Sequence, residues 1–271
     1  MNTPLASGWI GVGLTDIGRI RKINQDAFSI DNEQQLWVLA DGMGGHAGGE
    51  IASQLTVETI PASFNTQRDG QPSSPIPAAT LETMLVKAIE SANQIIRDQA
   101  TQNPDIKGMG TTVVAVGITR TADHSQAVIA HAGDSRAYVL RNKQLTLWTK
   151  DHTLMEERLD LHLITPDQVR THPLRHVLTK ALGIDPQAMP TVRTYELEPT
   201  DIILLCSDGL TKMLTDPEIH TLLLKDTPNL TQMCHRLVET ANRLGGEDNT
   251  TVVVVGADSD ATLVDLPSTT D

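Results

Sequence analysis

The chain is poor in aromatic, cysteine and basic residues. Aromatics make up 3% of its 271 positions, and the only cysteines are Cys206 and Cys234, both in apolar surroundings. Two such cysteines cannot build the disulfide framework of a small secreted domain; they read as reduced packing residues of a cytoplasmic protein. Lys and Arg number 21 against 34 Asp and Glu, a formal net charge of −13. With no basic run and no basic-aromatic interleaving, nucleic acid is excluded as a main partner, and the acidity serves solubility. No apolar run approaches the ~18 residues needed to span a bilayer. The opening "MNTPLASGWI" lacks the basic start and long apolar core of a secretory signal. A monomer away from the membrane is expected. The length suits one large domain or two small ones, either able to bury a sizeable core.

Apolar runs and turns then set out the organisation. "GWIGVGLTD" and "DAFSIDNEQQLWVLADG" read as strands, with a turn near Asp31 and Asn32. A helix follows over about 49–64, then a polar Pro/Ser-rich loop over 66–77. Leu81, Leu85, Ala88, Ala92 and Ile95 recur at steps of four and three, which predicts an amphipathic helix over 78–100 with those residues buried. "TTVVAVGITR", "SQAVIAHAGD", "RAYVLRNKQLTLWT", "TVRTYELEPTDIILLCSDG" and "TTVVVVGA" supply further strands, and two more helices are predicted over 216–224 and 230–244. The stretch 151–183, short, helical and rich in His and Arg, reads as an excursion from the sheets. Strands are not separated one by one by helices. That argues against a doubly wound parallel sheet and for α+β, two packed sheets covered by helices.

"LADGMGGHAGGE" (39–50) joins a strand to a helix through a glycine-rich turn. Such turns often cradle phosphate through backbone N–H groups, and Gly42, Gly44 and Ala47 fit a relaxed dinucleotide fingerprint. Two features count against that reading. Asp41 would face the pyrophosphate with nothing to neutralise it, and the next helix leads to a loop and another helix where that fold needs a strand ending in an acid. A hard divalent cation explains the aspartate better, since such ions take carboxylate and carbonyl oxygens and glycine lets a carbonyl approach closely. Other aspartates sit at similar strand ends: Asp208 in "IILLCSDGL", Asp248 in "GGEDNTTVVVV" and Asp134 in "VIAHAGDSRAYV". Unpaired carboxylates do not gather without cations, so the set predicts a shared cluster.

The segments "TDIGRIRKINQDAF", "LADGMGGHAGGE", "GMGTTVVAV", "HAGDSRAYVLRN", "DHTLMEERL", "THPLRHVLTKALG", "LLCSDGLTKML" and "GGEDNTTVVVV" occur in this order. Jointly they closely resemble the PPM family, the metal-dependent serine/threonine protein phosphatases of type 2C, in its bacterial form. The resemblance covers 8–256. It implies an α-β-β-α sandwich of two antiparallel sheets flanked by helix pairs, with a short helical flap at 151–183. An acidic tail, 257–271, is expected to be disordered. By resemblance, Asp41 bridges two metals and Gly42 offers its carbonyl, Asp208 and Asp248 complete the first metal site, and Asp134 holds a weaker third ion. The ions implied are Mn²⁺ or Mg²⁺, two tight and one weak. Arg21 resembles the phosphate-binding arginine, Asp26 orders metal-bound water, His46 stands where a general acid is proposed, and His172 resembles a flap histidine near the substrate. Two departures stand out: Gln25 replaces a common glutamate, and the flap reads "DLHLIT" where a glycine is common.

The resemblance implies hydrolysis of phosphoserine and phosphothreonine by attack of a metal-bridging water, with no phosphoenzyme intermediate. A cysteine nucleophile is excluded: the C-x5-R pattern fails, because Lys212 and Thr240 stand where arginine would be needed. A catalytically inactive scaffold would lack the metal carboxylates, and only Gln25 points that way. The expected substrates are phosphorylated proteins, opposing a serine/threonine kinase. In the absence of metal, Arg136 is expected to pair with Asp134.

Overall fold

Thr250–Ala257 carries valine at four successive positions. A strand turns consecutive side chains to opposite faces, so such a run must be covered on both sides. The computed structural model, which describes residues 8–43, 48–67, 76–121, 124–225 and 229–258, shows that arrangement throughout.

In chain order the elements are β1 (Trp9–Asp16), β2 (Asp26–Asp31), β3 (Leu36–Met43), α1 (Gly49–Gln67), α2 (Ala78–Gln102), β4 (Gly110–Thr111), β5 (Val113–Arg120), β6 (Ser125–Ala132), β7 (Arg136–Arg141) and β8 (Gln144–Leu147). Then come α3 (Leu154–Asp160), α4 (Pro166–Thr171), β9 (Thr191–Leu197), β10 (Ile202–Cys206), α5 (Asp208–Met213), α6 (Asp216–Leu223), α7 (Leu230–Arg243) and β11 (Thr250–Ala257). One sheet runs β1-β11-β10-β7-β8 and the other β2-β3-β5-β6-β9, with β4 paired to β3. The pairings are antiparallel.

Period-two alternation sorts the side chains into three apolar layers. Between the sheets, Trp37 and Leu39 of β3 and Val114 and Val116 of β5 meet Ile203 and Leu205 of β10 and Val253 and Val255 of β11. The alternate residues Leu36, Val38 and Ala40 face α1 and α2. Leu204, Val252 and Val254 face α5, α6 and α7, where Met233, Cys234, Leu237, Val238 and Ala241 form the buried stripe of α7. The fold is an α-β-β-α sandwich of α+β class.

Some details depart from expectation. Of the adjacent pair in α2, Ile96 is the buried one, whereas Ile95 is 36% exposed. At ~100° per residue Ile96 falls near the centre of the stripe formed by Leu85, Ile89 and Ala92. The turn after β10 is a short helix, α5, and α1 continues to Gln67. Most of the polar loop over 66–77 and the tail beyond 258 lie outside the described residues.

The segment 151–183 leaves the sheets as α3 and α4 but is pinned at both ends. His152 N–H donates to Gly133 O (2.9 Å) and Leu182 N–H to Thr111 O (2.9 Å), while Leu154 N–H to Val177 O (2.9 Å) ties the two arms of the segment to each other. Its outer part exposes Leu161 and Leu163, 67% each.

Candidate active site

The loops at one end of the sandwich enclose a cleft of about 360 Å³, lined by Arg21, Asp41, Gly42, Asp134, Asp208 and Asp248, together with His176 and Lys212. Both sheets contribute. Asp41 lies near the end of β3, directly opposite Asp26 at the start of β2. Asp134 follows β6, Asp208 follows β10 and opens α5, and Asp248 precedes β11.

Two glycines let the backbone close up here. A Cβ on Gly42 would lie 2.1 Å from Gly49 O, so this position admits no side chain. Gly133 has φ +110°, and a Cβ there would strike the Thr112 side chain at 2.6 Å. Thr112 is the joint between the two turns. Its hydroxyl accepts from Asp41 N–H (3.1 Å) and meets Ser135 Oγ at 2.7 Å. On the flap side, His152 Nδ1 accepts from Gly133 N–H (3.2 Å) and its ring stacks on His131 at 4.5 Å. Burial pushes both imidazoles down, His152 to about 3, so both stay neutral.

Asp26 is buried, and its Oδ2 accepts from Ser207 Oγ (2.8 Å) and Thr251 Oγ1 (2.7 Å) of the opposite sheet. Its Oδ1 has no partner among the described residues. Burial raises this carboxyl to about 6; the two hydroxyls oppose the shift, and Asp208 and Asp248 add to it. Burial also lifts Asp41 well above the usual carboxylate range, reinforced by Asp26, Asp208 and Asp134. Asp134 is raised to about 7 by burial and then by Asp208 and Asp151. Asp248 goes the other way. Burial works to raise it, but the bonds and charge of Lys212, with the charge of Arg21, outweigh that and lower it.

Only two cationic groups counter these acids at close range among the described residues. Lys212 Nζ lies 2.6 Å from Asp208 Oδ2 and 2.7 Å from Asp248 Oδ2, and Arg21 Nη2 lies 2.8 Å from Asp248 Oδ2. With the ammonium among them, no three carboxylate, imidazole or thiolate groups stand at metal-ligating spacing among the described residues. The donor set nonetheless suits hard divalent cations: oxygen ligands only, a glycine carbonyl beside a carboxylate, an unpartnered buried oxygen, and acids that raise one another's pKa.

Asp26, Asp41, Gly42, Asp134, Asp208, Asp248 and Arg21 are thus brought together. His46 lies outside the described residues. His172 does not line the cleft; it closes α4, its Nδ1 accepting from Leu174 N–H (3.1 Å), and His176 faces the cleft instead. Arg136 does not pair with Asp134. It forks onto Asp151 (2.9 and 2.7 Å) because β7 and β8 close as a hairpin that carries Asp151 back beside it. Gln25 donates to Glu50 Oε2 (3.1 Å), so a neutral amide faces the cleft with a carboxylate behind it. Asn249, Lys212 and His176 were not anticipated. Asn249 donates to Ile17 O and Ile23 O (3.0 Å each), clamping the loop that presents Arg21.

Comparison with known proteins gives the family. The family described as Protein phosphatase 2C matches residues 19–246. Serine/threonine phosphatase stp of Listeria welshimeri is 36% identical over 244 residues, covering 89% of this chain and 93% of that protein. The crystal structure of serine/threonine phosphatase Stp1 from Staphylococcus aureus superposes with a TM-score of 0.83 at 32% identity, over 96% of this chain and 99% of that one. The catalytic domain of serine threonine protein phosphatase PstP, solved in complex with two manganese ions, gives a TM-score of 0.76 at 35% identity over 93% and 99%. Among the described residues no helix is long and apolar enough to cross a membrane. The chain belongs to the protein phosphatase 2C family and is a metal-dependent serine/threonine protein phosphatase of the bacterial PPM type.

Proposed function

We propose that the cleft hydrolyses phosphoserine and phosphothreonine in protein substrates by direct attack of water, without a phosphoenzyme. The observation that carries this is the convergence of Asp41, Asp134, Asp208 and Asp248, from four separate strand ends, on one cleft that also holds Arg21. Asp41, the Gly42 carbonyl, Asp208 and Asp248 would hold two Mn²⁺ or Mg²⁺ ions and Asp134 a weaker third. Bound there, the ions would supply Lewis-acid charge and lower the pKa of a shared water toward ~7.

The chain's own groups do the rest. Asp26, anchored by Ser207 and Thr251, keeps an Oδ1 that has no partner among the described residues and would order water. Arg21, 48% exposed at the rim, can leave Asp248 and grip two phosphoryl oxygens with its planar fork. A serine or threonine alkoxide leaves poorly, and His46 would protonate it. No nucleophilic side chain is required: burial raises both cysteine thiols to about 12, which keeps them protonated. We place the catalytic domain at 8–256 with a flap at 151–183, and assign the enzyme as a cytoplasmic monomer opposing a serine/threonine kinase.

The test is hydrolysis of a phosphothreonine peptide by wild type and Asp208→Asn, with and without Mn²⁺, alongside the metal content of each protein. A loss of more than a hundredfold together with weakened metal binding is expected. Near-normal turnover with intact metal content would overturn the reading.

A further inference from the structure

Lys212 takes no part in the chemistry above, yet it occupies the middle of the acid cluster. It stands one helical turn after Asp208 on α5, with its side chain three-quarters covered (25% exposed). The two carboxylates it holds, at 2.6 and 2.7 Å, are themselves 19% and 15% exposed. Arg21 meets the same Asp248 oxygen from the solvent side and is free to turn outward, whereas the ammonium of Lys212 is enclosed by both acids. A divalent cation bound through the Oδ2 atoms of Asp208 and Asp248 would need the two oxygens that this ammonium contacts.

We propose that Lys212 is a resident counter-cation of the metal site: it neutralises Asp208 and Asp248 when no metal is bound and must be displaced when one enters. The inference rests on Asp208 and Asp248 being metal ligands. Two consequences follow from like-charge competition. The stripped protein keeps its acidic cleft from springing apart, and metal binding is weaker than the carboxylates alone would give, so occupancy responds to the free metal concentration. If Lys212 were only a brace joining α5 to the start of β11, removing it would loosen both carboxylates and weaken metal binding, the opposite sign.

The experiment titrates chelator-stripped wild type, Lys212→Met and Lys212→Arg with Mn²⁺ by calorimetry at fixed pH and ionic strength. The methionine variant should bind at least tenfold more tightly than wild type. The arginine variant, which keeps the charge, should stay within about threefold of it. Stripped Lys212→Met should also melt below stripped wild type. Equal or weaker Mn²⁺ binding by Lys212→Met overturns the proposal. Should that variant not remain folded when stripped, unstripped proteins are dialysed against Mn²⁺–chelator buffers and their retained manganese is counted. Half-saturation of Lys212→Met at tenfold lower free Mn²⁺ supports the proposal, and equal or higher half-saturation overturns it. A wild type that binds no Mn²⁺ would remove the metal reading itself, whereas binding with equal affinities removes only the role of Lys212.

Discussion

Asp134→Asn should stabilise the metal-free protein at neutral pH and impair the metal-bound one. In the folded chain burial, with Asp208 and Asp151 nearby, raises the Asp134 carboxyl from 3.8 to about 7. A group raised on folding holds a proton that the unfolded chain has released. Its favourable contribution is therefore complete below pH ~4 and is lost as pH climbs through ~7. At pH 7.5 the ionised carboxylate is a net cost to the stripped fold. Taken in full the gap is worth about 4 kcal/mol. Asp134 opens on the cleft, so solvent screening reduces this to about 1–2 kcal/mol. For a chain of this size that is about 2–4 °C in Tm. The assay is thermal melting of wild type and variant in chelator at pH 7.5 and pH 4.5, then at pH 7.5 with Mn²⁺. The variant should melt higher in chelator at pH 7.5, keep only a small part of that advantage at pH 4.5, and gain less from Mn²⁺. A lower Tm in chelator at pH 7.5 would mean instead that the Asp134 carboxylate braces its own turn.

Arg21→Ala should raise KM with a modest loss in kcat, since a guanidinium that grips ground-state phosphate holds the transition state about equally; undiminished inhibition by inorganic phosphate would remove Arg21 from that role. His46→Ala should slow a phosphoserine peptide far more than an aryl phosphate such as nitrophenyl phosphate, whose leaving group needs no proton, and equal losses on both substrates would exclude a general acid at that position.

The fold was legible because antiparallel strands covered on both faces leave unbroken apolar runs, as in "TTVVVVGA", and because the strand-end aspartates stand beside glycines. What sequence missed has physical reasons. Asp208 and Lys212 already show the acid-then-base i, i+4 spacing of a helix turn, but six residues opening with Asp-Gly read as a turn rather than as α5. Arg136 was matched to Asp134 by adjacency, whereas its partner Asp151 arrives only when β7 and β8 pair. The flap has short helices and no long period, so nothing in the sequence favoured His176 over His172. Ile95 and Ile96 are chemically identical, and only the drift of the buried stripe along a long helix separates them.

The acids of the cleft cannot hold one another in place, since neighbouring carboxylates add to the rise in pKa of Asp26, Asp41 and Asp134. The core beneath them does that work. Asp41 and Asp134 hang from strands of one sheet, and Asp208 and Asp248 flank strands of the other. The gap between the two sets is fixed by the apolar layer of Trp37, Leu39, Val114 and Val116 against Leu205 and Val253. Asp26 ties the seam directly, since this carboxylate on one sheet takes its hydrogen bonds from Ser207 and Thr251 on the other. A cluster that repels itself is thereby kept assembled by packing energy spent elsewhere, and the repulsion left at the site is what a bound cation would relieve.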